Sequence, residues 1–173
     1  MGNIIDKAVS SISIDVLCGG NYFLIWFWLG DTPLLNQALF GDVEVVKMLL
    51  EREDILVNEQ APHDGATPLY LAAYRGHDKV VELLLKKEDI QVNIPTYVGN
   101  TPLHVAARKG HDKVVKLLLK KEGIEVNLAN LEGATPLSLA AAKRNGKIVN
   151  LLLGTEEIRA IGWDGWRPNA ILG

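Results

Sequence analysis

The 173-residue chain is predicted to be an all-α solenoid, a row of helix-turn-helix units stacked in chain order. Three observations carry that prediction. The string T-P-L begins at Thr32, Thr67, Thr101 and Thr135, with spacings of 35, 34 and 34 residues. The same helix-start and helix-stop residues flank it in each copy. Each copy also has more apolar side chains than so small a unit buries alone, so neighbours must cover one another.

The copies align over most of their length. GATPLYLAAYRGHDKVVELLLKKEDIQVN starts at Gly65, and GNTPLHVAARKGHDKVVKLLLKKEGIEVN starts at Gly99. GATPLSLAAAKRNGKIVNLLL starts at Gly133, and a looser first copy, GDTPLLNQALFGDVEVVKMLLEREDILVN, starts at Gly30. Four such matches in register do not arise by chance.

Threonine before proline opens the first helix of each unit. The hydroxyl caps free amide protons, and proline suits the first helical position. Leu69, Ala72 and Ala73 recur as Leu103, Ala106 and Ala107, and the small alanines let adjacent helices come close. Gly76 and Gly110 stop this helix, where a left-handed backbone is easiest for glycine. The second helix is apolar over a wide face through Val80, Val81, Leu83, Leu84 and Leu85. Lys86, Lys87, Lys120 and Lys121 follow, placed to complement a helix dipole. Val92-Asn93 and Val126-Asn127 then lead into a polar turn, where the side chains of Asn58, Asn93 and Asn127 are expected to fix the turns.

Two units depart from the pattern in ways with structural consequences. The turn from Asn58 to Gly65 is one residue longer than its counterparts and contains Pro62, which predicts a bulged tip. In the fourth unit Arg144-Asn145-Gly146 replaces Gly76-His77-Asp78, so that turn is expected to be strained at Arg144 or shifted onto Asn145 or Gly146. The first unit has Asn36-Gln37 where the second has Leu71-Ala72, which suits an end unit with one face in water.

With these residues laid out, the chain resembles the ankyrin repeat family, most closely from Gly99 to Leu119 and across residues 30 to 153 as a whole. The resemblance implies L-shaped units stacked in an arc, hairpin-like fingers along one edge, and protein-protein contacts in place of catalysis. The units are expected at residues 30–64, 65–98, 99–132 and 133–153. Residues 1–29 form either an apolar leader or a degenerate amino-terminal cap. Residues 154–173 form a tail in which Asp164-Gly165-Trp166-Arg167-Pro168 reads as the start of a fifth unit. That start also admits a regulatory or targeting segment of a larger signalling protein or enzyme.

Composition narrows the function classes. A hydrophobic content of 48% and a charged content of 23% suit a soluble globular chain, and a net charge of −3 gives no general pull towards nucleic acid. The single cysteine, Cys18, makes no intrachain disulfide, which points to a reducing compartment, cytoplasm or nucleus. The apolar run from Tyr22 to Leu29 is too short to span a bilayer, and Asp6 and Asp15 argue against a secretory leader. No membrane attachment is expected, the alternative being an adaptor attached through residues 22–29, and the chain is expected to be monomeric.

No catalytic, cofactor or metal site is expected. The chain lacks a phosphate-binding glycine loop and a nucleophile elbow, and no histidine pair has metal-ligand spacing. The period accounts for His77, His111 and His104 as structural residues, the last expected to brace the Thr101 cap; only His63 is left for other work.

The resemblance directs attention to finger tips and to the exposed face of the first helices. The finger positions are His63, Asp64 and Ala66, then Tyr97, Val98 and Asn100, then Leu131, Glu132 and Ala134. The helix positions are Leu39 and Phe40, Tyr74 and Arg75, Arg108 and Lys109, and Ala142 and Lys143. Arg75, Lys109 and Lys143 recur at the 34-residue period, so stacking lines them into a basic stripe with aromatic neighbours. The expected partner is another protein with an acidic segment.

Overall fold

The computed structural model describes residues 32–155. The candidate cap, Cys18, the Tyr22–Leu29 run and the fifth-unit start lie outside the described residues. Among the described residues there are eight helices and no strand. The first helices of the four units are α1 (Pro33–Phe40), α3 (Pro68–Arg75), α5 (Pro102–Lys109) and α7 (Pro136–Ala142). The second helices are α2 (Val43–Leu50), α4 (Asp78–Leu85), α6 (Asp112–Leu119) and α8 (Gly146–Leu153).

Every substantial helix contact joins the two helices of one unit or matching helices of adjacent units. The chain therefore forms two parallel ranks, α1-α3-α5-α7 and α2-α4-α6-α8. Fully buried Leu34, Leu69 and Leu103 in the first rank meet Val46, Leu84, Leu118 and Leu152 of the second in one continuous core. Ala38, Ala72, Ala73, Ala106, Ala107 and Ala140 are also sealed from solvent, and through them the first rank packs more extensively than the second. The first rank is accordingly the inner one.

Helix starts follow the sequence in three units of four. The hydroxyls of Thr67, Thr101 and Thr135 accept from the backbone N–H groups of Tyr70, His104 and Ser138 at 3.1, 3.4 and 3.2 Å. Thr32 differs: it makes no cap, and its hydroxyl donates to Glu59 Oε1 at 3.0 Å. The charged acceptor makes this a strong hydrogen bond, and it fixes the hydroxyl's orientation towards Glu59.

The turn between the helices of a unit ties it to the unit before. His77 Nε2 lies 3.1 Å from the Leu39 carbonyl, and His111 Nε2 lies 3.1 Å from that of Tyr74. A carbonyl only accepts, so Nε2 carries the proton in both. Each ring occupies the space a side chain would need on the preceding glycine: a Cβ on Gly76 would stand 2.6 Å from His111. In the fourth unit Asn145 substitutes for the ring, donating from Nδ2 to the Ala107 carbonyl at 2.9 Å. The expected strain there is real. Arg144 is the only non-glycine residue with positive φ, 57°, among the described residues, and α7 stops one residue early.

Two expectations are corrected by contacts between units. Lys87 Nζ donates to the Leu50 carbonyl at 3.2 Å and Lys121 Nζ to the Leu85 carbonyl at 2.9 Å. These lysines cap the outer helix of the preceding unit, because stacking brings its open carbonyls within their reach. Likewise Asn58 and Asn93 do not simply fix their own turns. Each amide donates to a carbonyl of the next unit, Asp89 or Gly123, at 2.7 Å, and accepts from Gln91 N or Glu125 N.

Candidate protein-binding surface

The fingers are short turns closed by backbone hydrogen bonds at their base, Ala61 N to Ala66 O, Thr96 N to Asn100 O and Asn130 N to Ala134 O. Gly99 N and Gly133 N each reach back three residues, to Thr96 O and Asn130 O; Gly65 N reaches back four, to Ala61 O. That extra residue is the bulge Pro62 announced. Neighbouring fingers are joined through Tyr97 N to Asp64 O at 2.8 Å and Leu131 N to Val98 O at 3.2 Å. The tips thus form one surface held in register.

On it, Tyr97, Val98 and Leu131 expose 58, 57 and 78% of their area, large values for apolar side chains, although the Tyr97 ring also packs over Gly65 and its hydroxyl donates to the Pro62 carbonyl at 3.4 Å. His63 and Glu132 are exposed with them. Other expected finger contacts are absorbed by the scaffold. Ala66 is fully buried, because the longer first finger folds it beneath the bulge. Asp64 Oδ1 accepts from Ala66 N at 2.9 Å, and Asn100 Oδ1 accepts from Asn130 Nδ2 at 2.9 Å, so both half-buried side chains hold finger geometry. Ala134 is half-buried, and its carbonyl accepts from His104 Nε2 at 3.1 Å.

The second patch lies on the inner rank, at the carboxyl ends of the inner helices. Leu69, Ala72 and Ala73 face the core, which turns Tyr74 and Arg75 outwards; Leu103, Ala106 and Ala107 do the same for Arg108 and Lys109. Lys109 Nζ lies 4.4 Å from the centre of the Tyr74 ring, and Arg75 Cζ lies 5.7 Å from it. One aromatic ring therefore collects cations from two units. Lys143 is exposed at the next step, and Phe40, 41% exposed, stands at the opposite end. No acidic residue occurs in α1, α3, α5 or α7. Of the stripe read from the 34-residue period, Arg75 and Lys109 are brought together on the Tyr74 ring. Arg144 extends the stripe, exposed beside Lys143, and was overlooked because its position in the repeat marked it as a turn residue.

His104 and the Asp112–Lys147 pair serve the scaffold. His104 is fully buried; Thr101 N donates to its Nδ1 at 3.2 Å and its Nε2 donates to Ala134 O. Burial lowers its pKa below the ordinary 6.5, with the Ala134 hydrogen bond opposing. The Lys147 ammonium holds the Asp112 carboxyl below the usual range. Among the described residues no cluster of three or more His, Cys, Asp or Glu could hold a metal ion, and no helix is long and apolar enough to cross a membrane.

Paired helices in two ranks, fingers locked edge to edge and an open charged face define a repeat scaffold built for contact with other macromolecules. The family profile described as ankyrin repeats (3 copies) matches residues 14–96 and again residues 89–161, and the chain belongs to that family. Its repeats are generally protein-protein interaction modules and typically non-catalytic. No curated protein matches the chain.

Proposed function

We propose that the chain is a non-catalytic binding module that grips an acidic segment of another protein through the inner-rank stripe and the finger tips. The observation that carries this reading is the cation-aromatic array around Tyr74, with Lys109 and Arg75 both over or near one ring, and with Arg108 and Lys143 further along the same rank in the third and fourth units. Arginine and tyrosine are favoured anchors in interfaces, and a stripe of one charge selects its partner by sign. His63, Tyr97, Val98, Leu131 and Glu132 supply the flanking contacts, while Asp64 and Asn100 keep the fingers in register. The single cysteine fits a partner met in the cytoplasm or nucleus.

The test is quantitative capture of partners by the full chain and by Arg75→Glu with Lys109→Glu. Circular dichroism and urea unfolding establish that the variant keeps its fold. Loss of the captured species from the folded variant is expected. Equal capture by both proteins overturns the assignment of the stripe.

A further inference from the structure

The inner rank is not uniform along its length. Matching positions at the ends of the inner helices read Leu39-Phe40, Tyr74-Arg75, Arg108-Lys109 and Ala142-Lys143, the last followed by Arg144. The surface therefore passes from apolar, through an aromatic ring approached by Arg75 and Lys109, to the cations Arg108, Lys143 and Arg144. No carboxylate on these helices interrupts the gradient.

The spacing of the steps constrains what fits across them. Adjacent packed helices lie about 8–10 Å apart. A β-strand does not match, since side chains on one of its faces repeat at about 6.6 Å. A left-handed polyproline-type chain does: it has three residues per turn and rises about 3.1 Å per residue, so every third side chain points the same way at about 9.3 Å. Such a chain, crossing the inner rank, offers one side chain to each unit.

We propose that the occupant is an extended peptide segment of another protein with one large apolar or aromatic residue and an acidic residue at each of the next three third positions. The apolar residue lies against Phe40 and Tyr74. The acids meet Arg75, then Arg108 with Lys109, then Lys143 with Arg144. This deepens the binding reading above and rests on it. A peptide is favoured over a nucleic-acid strand because the lane begins with Phe40 and carries cations only from Arg75 onwards, whereas a phosphate backbone presents charge at every step.

The experiment measures fluorescence anisotropy of labelled peptides of about ten residues on the full chain. One peptide carries the aromatic residue and acids at every third position, in both chain directions. Comparators of identical composition place the acids at every second position or scrambled. The spaced peptide, in one direction, should bind about tenfold or more tightly than every comparator and weaken as salt rises. Replacing its last acid by glutamine should weaken binding to the native chain but not to the Lys143→Gln, Arg144→Gln variant. Equal binding of spaced and comparator peptides overturns the proposal, and so does tighter binding of a single-stranded oligonucleotide of matching charge. If spacing proves irrelevant while Arg75→Glu with Lys109→Glu still abolishes partner capture, the three-residue register falls and the stripe stands.

Discussion

Lys109, in the third unit, holds its ammonium nitrogen 4.4 Å from the centre of the Tyr74 ring in the second. One contact thereby couples adjacent units and fixes the place of a cation that faces solvent. Such contacts at exposed sites are worth about 0.5–1 kcal/mol. A double-mutant cycle with Tyr74→Leu and Lys109→Met, followed by urea unfolding, should give a coupling in that range of about 0.5–1 kcal/mol. Tyr74→Phe should retain it, since the ring is the partner. A coupling of zero would mean that the two groups are only neighbours.

The lysine bridges between outer helices make a second prediction. Lys121 Nζ caps the Leu85 carbonyl, but Thr155 stands at the matching position one period later and its hydroxyl donates to Leu152 O. Lys121→Met should destabilise the chain by about 1 kcal/mol. Thr155→Lys should place an ammonium near the open carbonyl of Leu119 and stabilise by about 0.5 kcal/mol. Urea midpoints decide both, and a destabilising Thr155→Lys would show that the fourth unit does not stack like the others.

His104 predicts a pH dependence. Burial lowers its pKa in the folded chain, while the unfolded chain titrates near 6.5. Below that pH the unfolded chain takes up a proton that the folded one refuses, so stability falls on acidification until the folded pKa is reached. Ser138 fills the matching position in the fourth unit and keeps a reciprocal cap with Thr135, which makes serine the informative replacement. His104→Ser should lower stability at neutral pH by about 2 kcal/mol, through the lost Ala134 bond and the space left by the ring. It should also lose less stability than the native chain as the pH is lowered below 6.5. An unaltered pH profile would assign the acid sensitivity to other groups.

Glycine positions separate backbone strain from crowding. Gly76 and Gly133 both have positive φ, 77° and 74°, but a Cβ on Gly76 would meet His111 at 2.6 Å whereas nothing lies within 4 Å at Gly133. Both alanine variants should lose about 1–2 kcal/mol from the left-handed backbone. Gly76→Ala should lose more, and His111→Ala in the same chain should remove the excess. The converse change, Arg144→Gly, relieves a side chain held at φ 57° and should raise stability by up to about 1 kcal/mol.

How much of this was legible beforehand depends on whether a residue acts within its unit or across to the next. Thr67, Thr101 and Thr135 cap helices three residues away, so their role is written in the order T-P-L. The Pro62 bulge and the strain at Arg144 were equally local. Thr32 was misread because Glu59, its acceptor, lies 27 residues on and comes within reach only when the chain folds back. Ala66 aligns with Asn100 and Ala134, yet it alone is fully buried, because one added residue changes how that finger folds.

The sequence alone determined the helices, their order and the column of Arg75, Lys109 and Lys143, because a fixed period carries the same short-range signals to each copy. Stacking decided which end Lys87 and Lys121 cap, which unit Asn58 and Asn93 tie, and that Lys109 meets Tyr74. These contacts join residues about one repeat apart or link neighbouring units. Their partners are chosen by the distance between packed helices, a quantity that no single unit contains.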